Sequence, residues 1–149
     1  MREIPAVWRL VAVATAALPA ACAMPPAAPS NPFLGAWATP EHNELTFRDA
    51  TVVVNPSGAT RPIEMSAQEC AGRFRFDYTR KSREALTALA SRQPDLQAQL
   101  SNLLQRPEYP VAELACDKGA NTYVLLDDRD LVAIYRDGEI AAIERLKRL

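Results

Sequence analysis

The sequence predicts a mainly β (α+β) fold, an antiparallel meander or small barrel of about seven strands with one helical excursion. Three observations carry that reading. Residues 73–79 alternate cleanly, with Phe74, Phe76 and Tyr78 on one side and Arg73, Arg75 and Asp77 on the other. At Ser82 the apolar period changes to a helical one, with Leu96, Leu100, Leu103 and Leu104 on one stripe. After Pro110 the chain returns to short β-branched runs separated by turn residues.

Taken in order, residues 33–37 open the folded part. Residues 43–47 place Leu45 and Phe47 on one side, and residues 51–54 are β-branched. Asn55-Pro56-Ser57-Gly58 is turn chemistry, and residues 61–65 can return as a further strand. Ser82 is placed to cap a helix through Leu86 and Leu89. Pro94 breaks that helix and opens a second, because proline is tolerated at the first helical position. Pro107 and Pro110 end the helical segment, which is expected to pack on a face of the sheet or plug an end. Residues 111–116, 122–126, 131–136 and 139–146 read as a meander. Asp137-Gly138 reads as a two-residue hairpin whose central residues both need positive φ. A barrel or strongly curved sheet removes the exposed edges that such a chain would otherwise have.

The domain organisation follows from composition. Residues 1–22 read as an export signal: Arg2 and Arg9 flank a short polar start, and an apolar run follows from Leu10 to Ala20. That run is shorter than the ~20 residues a membrane span needs. Residues 23–32 are rich in proline and alanine and read as an extended tether. Residues 33–149 form a single β-rich domain.

Leu18-Pro19-Ala20-Ala21-Cys22 resembles a lipobox, the processing signal of bacterial lipoproteins. The resemblance implies that Cys22 becomes the first residue of the exported chain and carries lipid. Pro19 stands where that family places an aliphatic residue. Ala21-Cys22-Ala23 also offers an ordinary small-x-small cleavage site, which would discard Cys22. Either way Cys22 leaves the thiol pool, so Cys70 and Cys116 are an even pair in an oxidising compartment and are expected to form a disulfide. The implied location is the periplasmic side of the cell envelope, membrane-anchored if Cys22 is lipidated and soluble otherwise.

Gly35-Ala36-Trp37, ahead of a run of short strands, resembles the Gly-x-Trp opening of lipocalin-like barrels. In that family the tryptophan closes one barrel end and an arginine near the last strand packs on its ring. The resemblance offers that part to Arg145 or Arg148. Cys116-Asp117-Lys118-Gly119, with Val124 and Asp137-Gly138 following, is similar to part of the membrane-bound lysozyme inhibitors, small lipoprotein barrels with a disulfide. No inhibitory contact residues carry over.

Catalysis finds little support in the residues. His42 is the only histidine, in the loop Pro40-Glu41-His42-Asn43, and no partner is positioned for it. Asp127, Asp128 and Asp130 lack the spacing of a calcium loop. Ser57 and Ser66 lack a nucleophile context, and no glycine-rich phosphate loop is present. No cofactor and no metal are expected. The net charge of −1 offers no general attraction to nucleic acid, which is not expected as a partner. The distinctive local signal is basic. Arg73, Arg75, Arg80, Lys81 and Arg83 interleave with aromatic residues and form a possible surface for an anionic partner, alongside the plainer reading of a solvated strand face. The sequence thus points to a non-catalytic envelope protein that binds a protein, cell-wall or lipid component. An inhibitor of a hydrolase such as lysozyme, or a small periplasmic hydrolase, are the alternatives.

Overall fold

A computed structural model describes residues 22, 24–26 and 30–149. Residues 1–21, on which the expected export signal falls, and Ala23 lie outside the described residues; Cys22 itself is exposed and unpaired with another cysteine. The chain divides into two compact units, Met1–Ser30 and Asn31–Leu149. The second carries the fold.

That unit is mainly β, one antiparallel sheet of nine strands curled into a half-barrel. The strands are β1 (Gly35–Ala38), β2 (Glu44–Phe47), β3 (Val52–Asn55), β4 (Ile63–Glu64), β5 (Phe74–Ser82), β6 (Glu108–Cys116), β7 (Ala120–Leu125), β8 (Asp130–Asp137) and β9 (Glu139–Arg148). Two helices, α1 (Arg83–Ala88) and α2 (Pro94–Leu103), lie between β5 and β6. The spatial order is β4-β3-β2-β1-β9-β8-β7-β6-β5. The two edge strands, β4 and β5, are therefore neighbours in sequence.

Residues 61–65, expected as a strand, contribute only the two-residue β4, and the strand the sequence did not announce is β1. β1 has no alternating signal of its own; it is a strand because it bridges β2 and the end of β9, with Trp37 opposite Leu45 on one side and Arg148 on the other. Strand β6 also begins earlier than expected and runs through Pro110. There β5 alone pairs with it, since the ladder to β7 starts at Val111 opposite Val124. A missing N–H is tolerable at such a one-sided position. Arg106 supplies donors nearby, its Nη2 lying 3.0 Å from the Leu125 carbonyl and 2.6 Å from that of Leu126.

The pleat sorts the side chains onto two faces. The concave face gathers Phe33, Trp37, Leu45, Phe47, Val52, Ala112, Leu114, Tyr123, Leu125, Leu131, Ala133 and Leu146, with Phe74, Phe76 and Tyr78 packed against them. Its rings meet edge to face or tilted: Phe47 lies 5.0 Å from Tyr123, and Phe33 lies 5.5 Å from Tyr78. Such pairs add to simple area burial. The convex face carries Val111, Val124, Val132, Ile134 and Ile140, covered by Leu86, Ala90, Leu100 and Leu104. The helices thus pack on a face and do not plug an end.

Local chemistry explains the helices. The Ser82 hydroxyl accepts from the Ala85 N–H at 3.1 Å, and Pro94 stands at the start of α2. Between them, the Gln93 amide donates to the Ile140 carbonyl at 2.8 Å and accepts its N–H at 2.9 Å. This satisfies β9 where its register with β8 shifts at Tyr135/Arg136. The β8–β9 turn differs from expectation: only Gly138 has positive φ, 76°, and it alone separates the paired residues Asp137 and Glu139.

Candidate functional site

β5 is the element on which the sequence signals converge. Its outward row begins just before the strand with Arg73 and continues through Arg75, Asp77, Thr79 and Lys81, while Phe74, Phe76 and Tyr78 turn into the concave face. Each of the five predicted cations has a partner. Arg73 Nε lies 3.1 Å from Asp117, Arg75 Nε lies 3.1 Å from Asp77, and Arg80 Nε lies 3.0 Å from Glu108. Lys81 Nζ is 2.7 Å from Glu113, and Arg83 donates to the Ser101 carbonyl at 3.0 Å. Arg80 lies on the opposite pleat from Arg75 and Lys81, and Arg83 already belongs to α1. The strand therefore shows a charge-balanced surface, not one continuous positive field. The exposed pairs among these contribute little stability, typically about 0–1 kcal/mol each.

Where β5 starts, Arg73, Phe74, Arg75, Ala115, Cys116 and Asp117 line an open cleft of about 460 Å³. One of its lining residues, Cys116, is half of the disulfide. Cys70 and Cys116 are joined, with Cα atoms 5.2 Å apart across 46 positions. Cys70 sits in a compact turn in which its N–H donates to Ser66 O at 3.0 Å. Cys116 stands opposite Phe74 at the end of β6. The bond thus fastens the crossover between the two sheet edges. Asp117 accepts from the Arg73 backbone N–H and side chain, and these bonds hold its carboxyl below the usual range. The cleft offers guanidinium groups, a carboxylate and an apolar floor. Among its lining residues no nucleophile stands next to a base.

The opposite end of the half-barrel is closed by Trp37 and Arg148. The Arg148 guanidinium lies 4.2 Å over the indole. It also donates to the carbonyls of Pro32 at 2.6 Å, Leu34 at 3.0 Å and Asp128 at 2.6 Å. Trp37 Nε1 donates to the Phe33 carbonyl at 3.0 Å. Gly35 has φ 117°, and a Cβ there would stand 3.3 Å from Arg148 Nη1, so glycine suits both the backbone and the arginine. No family model, no curated protein and no solved structure matches this chain. Its geometry is therefore the basis for any functional reading.

Arg145, the other arginine considered for the indole, instead bonds Asp130 at 3.1 Å, and Lys147 joins the same carboxylate. Lys147 and then Arg145 hold Asp130 below the ordinary carboxylate range, against some desolvation. A carboxyl with a lowered folded pKa stabilises above its unfolded value of about 3.9, and that contribution is lost as pH falls through the folded value. Asp130→Asn is therefore expected to be less stable than the parent at pH 7, with the gap closing below about pH 4. Urea midpoints at pH 7 and pH 3 check this; a gap that stays constant would refute it.

Asp127 has a turn role. Its Oδ1 accepts from the N–H groups of Arg129 and Asp130, both at 2.8 Å. Among the described residues no cluster suited to a metal occurs. His42 is exposed in the β1–β2 loop at φ 66°. Sequence reasoning missed the polar group on the concave face. Tyr135 OH donates to Glu144 at 3.1 Å, and Tyr123 OH accepts from Asn121 at 3.3 Å. Burial pushes the Tyr123 phenol up to about 12 and Tyr135 higher still. Only strand alternation pointed toward this group, and alternation does not say which polar residues meet.

Proposed function

We propose that the chain is an exported, lipid-anchored protein of the cell envelope that acts by binding a protein or envelope component from the periplasmic side, without catalysis. The observation that carries this reading is the Cys70–Cys116 disulfide, in keeping with an oxidising compartment. Three features support it. Residues 1–22 have the pattern of an export signal, a Pro-rich stretch follows Cys22, and the compact unit begins at Asn31. The Gly35, Trp37 and Arg148 arrangement favours a lipocalin-like barrel as the architecture. The cleft beside Arg73 and Arg75 suits recognition of a partner's polar or anionic groups.

Fractionation of the native cell tests the anchor. The parent chain is expected in the membrane fraction, released by detergent, and Cys22→Ser is expected in the soluble periplasmic fraction. An unchanged distribution rejects the anchor. Addition of the purified chain to lysozyme and protease assays tests the inhibitor alternative. Turnover of a cell-wall substrate that is lost in His42→Ala would replace the binding reading with an enzymatic one.

A further inference from the structure

We propose that β5 is a self-association edge, through which two copies of this chain pair their β5 strands antiparallel about a two-fold axis at Phe76. β5 is a nine-residue strand that bonds to β6 alone, and it ends the sheet. β4, the other edge, is two residues long and pairs only with β3. The half-barrel is drawn together across this seam by side chains, as where Tyr78 OH donates to the Arg48 carbonyl at 2.5 Å. Among the described residues no backbone hydrogen bond crosses from β5 to β3 or β4. β5 contains no proline, so every residue keeps its N–H, and its charged residues leave open only a partner edge of matching charge.

The sequence of the strand selects the occupant. Around Phe76, residues 73–79 read Arg-Phe-Arg-Phe-Asp-Tyr-Thr. With the axis at Phe76, Arg75 of each copy faces Asp77 of the other on the outer face. Phe76 faces its own counterpart and Phe74 faces Tyr78 on the inner face, and Arg73 faces Thr79. Opposite charges and aromatic pairs directly across strands are the favourable combinations. Arg75 and Asp77, which pair with each other at 3.1 Å within one chain, have side chains 71% and 55% exposed, so the same two charges can exchange partners across the axis. Neighbouring registers are disfavoured. An axis at Asp77 sets Asp77 against Asp77 and Arg73 against Lys81; one at Tyr78 sets Arg75 against Lys81; one at Arg75 sets Arg75 against itself. Odd shifts would put outer residues opposite inner ones. A two-fold interface requires such self-complementarity.

The test uses the exported chain with Cys22→Ser, so that neither lipid nor a free thiol drives association. Sedimentation equilibrium is expected to give twice the chain mass. Asp77→Arg and Arg75→Asp are each expected to weaken the dimer by about tenfold or more. The double change Arg75→Asp with Asp77→Arg is expected to restore it, because the crossed pairs re-form. Circular dichroism checks that each variant is folded. Without any substitution, amide exchange on the outward-pointing groups of residues 73–79 is expected to be slow in the dimer and fast on dilution. A chain that stays monomeric, a dimer indifferent to Asp77→Arg, a double variant that fails to recover, or exchange unaffected by dilution overturns the proposal.

Discussion

Replacing Trp37 with alanine is expected to lower the unfolding free energy by about 3–5 kcal/mol, the range for deleting a fully buried large aromatic side chain. Trp37 is 0% exposed and lies at the junction of β1, β2 and β9. Three losses coincide in the alanine variant. The ring leaves a cavity against its concave-face neighbours, the Phe33 carbonyl loses its indole donor, and Arg148 loses the face over which its charge rests. Trp37→Phe keeps most of the ring and is expected to lose less. Urea unfolding followed by circular dichroism measures both. An alanine variant within 1 kcal/mol of the parent would show that the indole does not close the end of the half-barrel.

Breaking the disulfide has an effect of similar size by another route. A cross-link spanning 46 positions restricts the unfolded chain by about 4 kcal/mol in the loop-entropy model. A domain of this size has a net stability of about 5–15 kcal/mol, so the loss removes a large share. Cys70→Ser with Cys116→Ser is expected to lower the melting temperature by roughly 10–20 °C. The loosening should be concentrated in the crossover from Met65 to Arg73 and in the first residues of β5, because this covalent tie fastens the crossover to the end of β6. Scanning calorimetry gives the first quantity and hydrogen exchange the second. A drop below a few degrees would mean that the seam is held by packing alone.

The two effects act on opposite ends of the sheet and share no side chain. Trp37 and Arg148 close the end where Asn31 enters the compact unit, and the disulfide lies where β5 begins and β6 ends. Changes at the two places are therefore expected to add.

The residues themselves determined the local features, because each depends on close neighbours. The alternation of residues 73–79, the Ser82 cap, proline at the start of α2 and the glycine of the last hairpin all appear where the sequence puts them. The cysteine pairing was also legible, since reading the first residues as an export signal set Cys22 aside and left Cys70 and Cys116 as an even pair. The tertiary structure decided what depends on partners far apart in the chain. It chose Arg148 over Arg145 for the indole, since strand positions an odd number apart point to opposite faces and Arg148 is the one paired opposite Trp37. It brought Gln93 to Ile140 and Arg106 to Leu125, contacts no periodicity announces. It also matched four of the five predicted cations with carboxylates: a run of like charges in sequence is neutralised when neighbouring strands bring Glu108, Glu113 and Asp117 beside it.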